Sequence, residues 1–240
     1  MTLRLLPRPQ ALDYKVAMNE SVAHHARPTH HTPETARVTR WWWVRHAPVT
    51  VDQGCIYGHI DLPCDVSDAD CFAVLARRLP RDAVWVTSHL QRTKQTAAAI
   101  AAAGLAFDAA AEERDFAEQH FGEWQGRNRA EVFALHGADH GLWLAPADFR
   151  PPGGESFTEM MARVTGAIER WTRRHPGRDI VAVAHGGTIR AALGHALGLA
   201  PSRALAFESG NCALTRLDYI EDDGKAPAWR IVAVNLLPVP

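Results

Sequence analysis

Apolar and polar positions alternate in blocks along most of this chain, and the blocks have two different periods. The runs WWWV (41–44), AVWVTS (83–88) and DIVAVAH (179–185) are short and almost continuously apolar, with polar residues on both sides. Such runs suit strands buried on both faces of a parallel sheet. Two later runs, CALTRL (212–217) and RIVAV (230–234), predict further strands. Between the runs the period lengthens to that of a helix. Residues 68–79 open at Ser67, with Asp70 three positions on, and stop before Pro80. Residues 90–103 are alanine-rich, begin near Ser88 with Gln91 three positions on, and end at Gly104. Residues 156–175 carry the clearest signature. Ser156 and Glu159 form a capping box, and Phe157, Met160, Met161, Val164, Ile168 and Trp171 then share one face. Residues 187–197 follow the third strand directly as a helix. Strands alternating with helices predict an α/β fold: a three-layer α/β/α sandwich around a mostly parallel central sheet.

Two segments depart from this rhythm. Residues 1–38 show scattered charge and little periodicity, and are expected to be a poorly ordered extension ahead of one domain at 39–240. Their histidines His24, His25, His30 and His31 are a compositional metal signal only. The stretch carries no apolar core of the kind a secretory signal needs. Residues 113–154 are rich in Trp, His and Gly and lack a clean period, which reads as a lid or insertion over one end of the sheet.

Composition narrows the function. The 240 residues carry a formal net charge of -1, so no global field draws the chain to nucleic acid or an anionic membrane. An anion would have to be held by a local cluster. There is no apolar run of about 18 residues, the length a membrane span needs. Cys55, Cys64, Cys71 and Cys212 show no CxxC or zinc-finger spacing, so free thiols in a reducing cytoplasm are expected.

The chemistry gathers where the strands end. The first apolar run ends in Arg45-His46, the second in Ser88 with Arg92 a turn later, and the third in His185-Gly186-Gly187. Ligands of open α/β sheets bind outside the carboxyl ends of the strands, so the fold predicts that these residues meet. The two glycines let backbone approach a ligand closely, and the helix that follows offers free N–H groups and its positive dipole end. Two arginines, two histidines and a helix N-terminus suit a dianion, phosphate first of all.

Five segments now line up: Arg45-His46-Ala47, SHLQRTKQTA (88–97), EQHFGEWQG (118–126), PPGGESF (151–157) and VAHGGTIR (183–190). In this order they resemble the histidine phosphatase superfamily, the phosphoglycerate mutase-like group, over about residues 40–217. The resemblance implies that His46 is the nucleophile that takes a phosphoryl group. It implies that Arg45, Arg92 and His185, with Gly186 beside them, hold phosphate oxygens, and that Glu118 protonates the leaving oxygen. The implied activity is hydrolysis of a small phosphomonoester through phosphohistidine, without metal or cofactor. YGHIDLP (57–63) and RHAP resemble the phosphatase branch that includes α-ribazole phosphatases more than the glycolytic mutases. The partners expected are the small-molecule phosphomonoester and, at most, a second copy of the chain as a homodimer.

The chain also departs from that family. Ala47-Pro48 stands where glycine usually follows the nucleophile, and Pro48 removes a backbone N–H. Asp52 stands near the place of an asparagine that touches phosphate, and its charge would repel the ligand, so that role is not carried over. His89 replaces a usual proline at the site's mouth. Arg190 is read as structural, and Trp124, Trp143 and Phe149 are read as lid packing that hints at a ring-bearing leaving group. Three other functions fit parts of the pattern: a mutase, a catalytically silent phospholigand-binding module, and a metallohydrolase using His46 and His185.

Overall fold

The computed structural model describes residues 36–137 and 143–239. The four histidines of the N-terminal segment lie outside the described residues. Six strands form one sheet: β1 (Arg37–Arg45), β2 (Ala83–Thr87), β3 (Ala110–Glu112), β4 (Asp179–Ala184), β5 (Leu214–Glu221) and β6 (Ala228–Leu236), in the order β3-β2-β4-β1-β5-β6. The β1–β4, β2–β4 and β2–β3 pairs are parallel, and β1–β5 and β5–β6 are antiparallel. Helices cover both faces, so the molecule is the α/β sandwich that the alternating pattern predicts.

The strand period of two decides which helices each residue meets. Trp41 and Trp43 on β1, with Val86, Ile180 and Ala182, pack on one face against α4 (Phe157–Arg174) and α5 (Gly186–Leu197). Val44, Trp85, Val181 and Val183 point the other way, to α1 (Ala69–Arg78) and α2 (Gln91–Ala102). The Trp41 and Trp43 rings stack 5.0 Å apart, and Phe116 meets both edge-on at 6.0 and 5.1 Å. Such aromatic pairs add about 0.5–1.5 kcal/mol each beyond area burial. β1 is therefore held rigidly up to its last residue, Arg45.

Of the three capping boxes that the sequence predicts, one forms and two give way to other partners. The box at Ser156 forms: Ser156 Oγ accepts from the Glu159 N–H, and Glu159 accepts from the Ser156 N–H at 2.8 Å. The cap of α1 is Asp68, which accepts from the Cys71 N–H at 3.0 Å; Ser67 is not the cap, because its N–H turns back to Asp65. Ser88 does not cap α2 in a box either. Its hydroxyl faces His185, and the first N–H of α2, on Gln91, is capped from afar by Asp61 at 2.7 Å. β1 begins at Arg37, four residues ahead of the apolar run 41–44 that predicts it. Strand β3, helix α3 (Arg129–His136) and the short α6 (Pro201–Ala204) have no counterpart in the apolar pattern. No helix among the described residues is long and apolar enough to cross a membrane.

Candidate active site

The parallel strands β1, β2 and β4 end side by side, and their last residues meet as the topology requires. His46 follows β1 directly. Its N–H bonds Ala184 O on β4 at 2.9 Å, and its carbonyl accepts from Asn211 Nδ2 at 2.8 Å. The ring is 1% exposed, and Nδ1 lies 2.7 Å from Ala47 O. A carbonyl can only accept, so Nδ1 carries the proton and Nε2 keeps its lone pair. Nε2 makes no hydrogen bond among the described residues. Burial, then the positive charges of Arg92 and Arg45, hold the His46 imidazole well below the usual histidine range, so it is neutral at neutral pH.

His185, at the end of β4, faces it with ring centroids 5.2 Å apart. Ser88 Oγ lies 2.8 Å from His185 Nε2, and Arg92 Nε donates to Nδ1 at 3.3 Å. Because Arg92 can only donate, Nε2 of a neutral His185 is the donor, toward the Ser88 hydroxyl. Burial and the same cations hold His185 well below its ordinary range too. Arg92 is fully buried. Its Nη groups donate to Ile60 O at 3.1 Å and Gly58 O at 2.6 Å, and it lies over the Tyr57 ring. Arg45 gives Nη1 to Ser209 O, while its buried Nε has no partner among the described residues. An unengaged guanidinium N–H beside a neutral imidazole is a place for an anion.

Glu118 is nearly buried. Both carboxylate oxygens face the Gly187 N–H, at 3.1 and 3.3 Å, in the first turn of α5. The glycine is required there, since a Cβ on residue 187 would collide with Glu118 Oε1. Gly186, the other carried-over glycine, packs against the guanidinium groups of Arg45 and Arg190.

A cavity of about 840 Å3 opens beside this cluster and reaches Arg45 and Glu118, whereas His46, Arg92 and His185 are not among the residues that line it. Arg45, Glu118, Arg190 and Asn211 line it, with Phe121 and Trp143 from the region 113–154 among its walls. Arg190, read from sequence as structural, thus reaches the cavity: Nε donates to Phe207 O at 2.7 Å and the guanidinium lies 4.8 Å from the Trp143 ring. Its place four residues after Gly186 was the available signal. Asn211 had none, because no local pattern marks the turn before β5. Asp52 also lines the cavity, but Arg129 neutralises it at 2.9 Å. His89 does not line it; it borders a separate hollow with His59 and His120. Of the three aromatic residues singled out, Trp143 lines the cavity, whereas Trp124 is buried and clusters with His136 and Phe149, each ring stacked on the other two. No cluster of metal-binding side chains occurs among the described residues.

The fold and this cationic, two-histidine floor define a phosphate-handling α/β protein. The chain belongs to the Histidine phosphatase superfamily (branch 1), whose sequence pattern matches residues 41–232. Among curated relatives, a bifunctional protein of Mycobacterium tuberculosis is 36% identical over 143 residues, 60% of this chain and 36% of that protein. The chain thus spans about a third of the length of that relative. A glucosyl-3-phosphoglycerate phosphatase of Mycolicibacterium vanbaalenii is 30% identical over 68% of this chain and 76% of its own length. The solved mycobacterial glucosyl-3-phosphoglycerate phosphatase superposes with a TM-score of 0.69 at 26% identity, covering 82% of this chain and 99% of that one. The α-ribazole phosphatase of Shigella flexneri shares the fold at a TM-score of 0.63 and 20% identity, over 84% of this chain and 99% of its own.

Proposed function

We propose that the protein hydrolyses a small phosphomonoester through a phosphohistidine on His46. The observation that carries this reading is the state of the His46 ring: Nδ1 is tied to Ala47 O, and Nε2 is neutral, unengaged and flanked by Arg45 and Arg92. In the first step the Nε2 lone pair attacks phosphorus, and the P–O bond to the leaving group breaks. Arg45, Arg92 and His185 offset the charge on the three equatorial oxygens, where positioning and electrostatics supply most of the acceleration. Glu118 gives its proton to the departing oxygen. In the second step the same carboxylate takes a proton from water, water attacks phosphorus, the P–N bond breaks, and inorganic phosphate leaves. The cationic side chains take the part a metal ion plays in other phosphoryl-transfer sites.

The leaving group sits against Phe121 and Trp143, which suits a ring or sugar. Substrates to screen first are those that name the relatives, glucosyl-3-phosphoglycerate and α-ribazole phosphate, beside 3-phosphoglycerate as an acceptor for transfer. The decisive experiment traps phosphoenzyme from a labelled ester. An acid-labile, alkali-stable adduct that disappears in His46→Ala is expected. Full hydrolysis by His46→Ala would sink the proposal.

A further inference from the structure

Glu118 lies in the irregular stretch between two short 3-10 turns, Arg114–Phe116 and Gly122–Trp124, where no strand or helix fixes it. A proton donor must nevertheless be held to within a few tenths of an ångström of its task. What holds it is Arg163, one and a half turns into α4. Its Nη1 donates to Asp115 O at 2.7 Å and to Ala117 O at 3.0 Å, and its Nη2 donates to Glu118 O at 2.9 Å. The remaining bonds go to the Glu155 carboxylate: Nε to Oε2 at 2.9 Å and Nη2 to Oε1 at 2.5 Å. A guanidinium has five N–H donors, and all five are engaged. Both partners are about four-fifths shielded from solvent.

Glu155 extends the same grip to the other side of the donor. Its Oε1 accepts from the His120 N–H at 2.9 Å, its own N–H donates to His120 O at 2.9 Å, and its carbonyl accepts from Gln119 Nε2 at 2.8 Å. Arg163 thus fastens residues 115–118 and Glu155 fastens residues 119–120. A second donor, His59 Nε2, meets the Glu118 carbonyl at 2.7 Å. The carboxylate itself is left facing Gly187 and the cavity.

We infer that the Arg163–Glu155 pair is a positioning device for the Glu118 proton donor. Arg163 touches no reacting atom; it acts through the backbone of the residue that does. The inference rests on the phosphohistidine reading and assigns that site a new residue pair. Lysine preserves the charge of Arg163 but offers three donors on a flexible stem, so it cannot reproduce the planar five-bond fork.

The test compares leaving groups in pre-steady-state bursts. An alkyl ester such as glycerol 2-phosphate needs its leaving oxygen protonated, whereas p-nitrophenyl phosphate scarcely does. In Arg163→Lys the alkyl-ester burst should slow by about 100-fold, the usual worth of a general acid, with a much smaller loss for the nitrophenyl ester. Glu155→Gln, which keeps the shape of the pair, serves if the lysine variant does not fold; it should give the same split in smaller measure. Equal slowing of both bursts in a folded variant, or no slowing of either, overturns the inference. A His46→Ala variant that hydrolyses p-nitrophenyl phosphate at the wild-type rate overturns the phosphohistidine reading itself, and this role with it.

Discussion

At Gly187, one missing methyl group decides where a carboxylate can sit. A Cβ there would strike Glu118 Oε1 and would lie 3.0–3.1 Å from Met160 Cε and Sδ. Gly187→Ala should therefore push the carboxylate off the α5 N–H and leave it the Gln119 N–H, which Oε1 also accepts at 3.1 Å, while helix propensity at this position improves. Turnover of an alkyl phosphomonoester is expected to fall about 100-fold, and phosphoenzyme formation from p-nitrophenyl phosphate far less. Turnover at the wild-type rate would show that Glu118 is not oriented from α5. The same scale shows what a sequence can and cannot disclose. His46, Arg45, Arg92 and His185 were legible because each ends an apolar run or opens the next helix. Ser88 stands in sequence where a helix cap would, but its hydroxyl meets Thr93 Oγ1, the Leu90 N–H and His185 Nε2, the last 97 positions away. Asn211 was invisible for a related reason: it bonds the His46 carbonyl from a turn without local pattern.

Elements were legible in proportion to the apolar surface they bury. The central strands and α4 have long, regular faces, and α4 also carries its box. β3 is three residues long and mostly exposed, and α3 buries only Val132, so neither leaves a period to read. The box itself can be measured. In α4 the first-turn N–H of Glu159 depends on Ser156 Oγ, which is buried, so Ser156→Ala should destabilise the protein by about 1 kcal/mol. Urea unfolding followed by Trp fluorescence would show it as a lower midpoint with an unchanged slope; an unchanged midpoint would mean that tertiary packing alone holds the helix start. Because α4 also carries Arg163, fraying of its first turn loosens the grip on Glu118, so the same variant couples stability to rate.

At the scale of the molecule, six histidines among the described residues have pKa values pushed down by burial: His46, His59, His89, His175, His185 and His195. A histidine that is neutral when folded binds its proton more readily when unfolded. The unfolded state therefore gains protons first as pH falls through about 6.5, its ordinary value, and the folded state loses relative stability from there downward. Above that pH the term is flat. His46 and His185, both fully buried, should each contribute up to about 1.4 kcal/mol per pH unit below the threshold. Denaturant midpoints measured between pH 8 and pH 5 should hold steady and then drop, and His46→Asn should make the drop shallower. A midpoint that rises toward pH 5 would contradict the neutral assignment of these rings.

The proposed nucleophile and the proposed proton donor are mounted on unlike supports. His46 is attached to β1, which is paired on both sides, with its own N–H fixed to β4. Glu118 hangs in irregular chain, fastened by side chains. The strand ladder opens only when the domain comes apart, whereas a clasp of side-chain bonds can open alone. On the proposed mechanism, mild stress would cost the molecule its turnover of esters that need a protonated leaving oxygen before it cost the strand-end pocket around His46, and it would persist for a time as a folded protein that still binds phosphate.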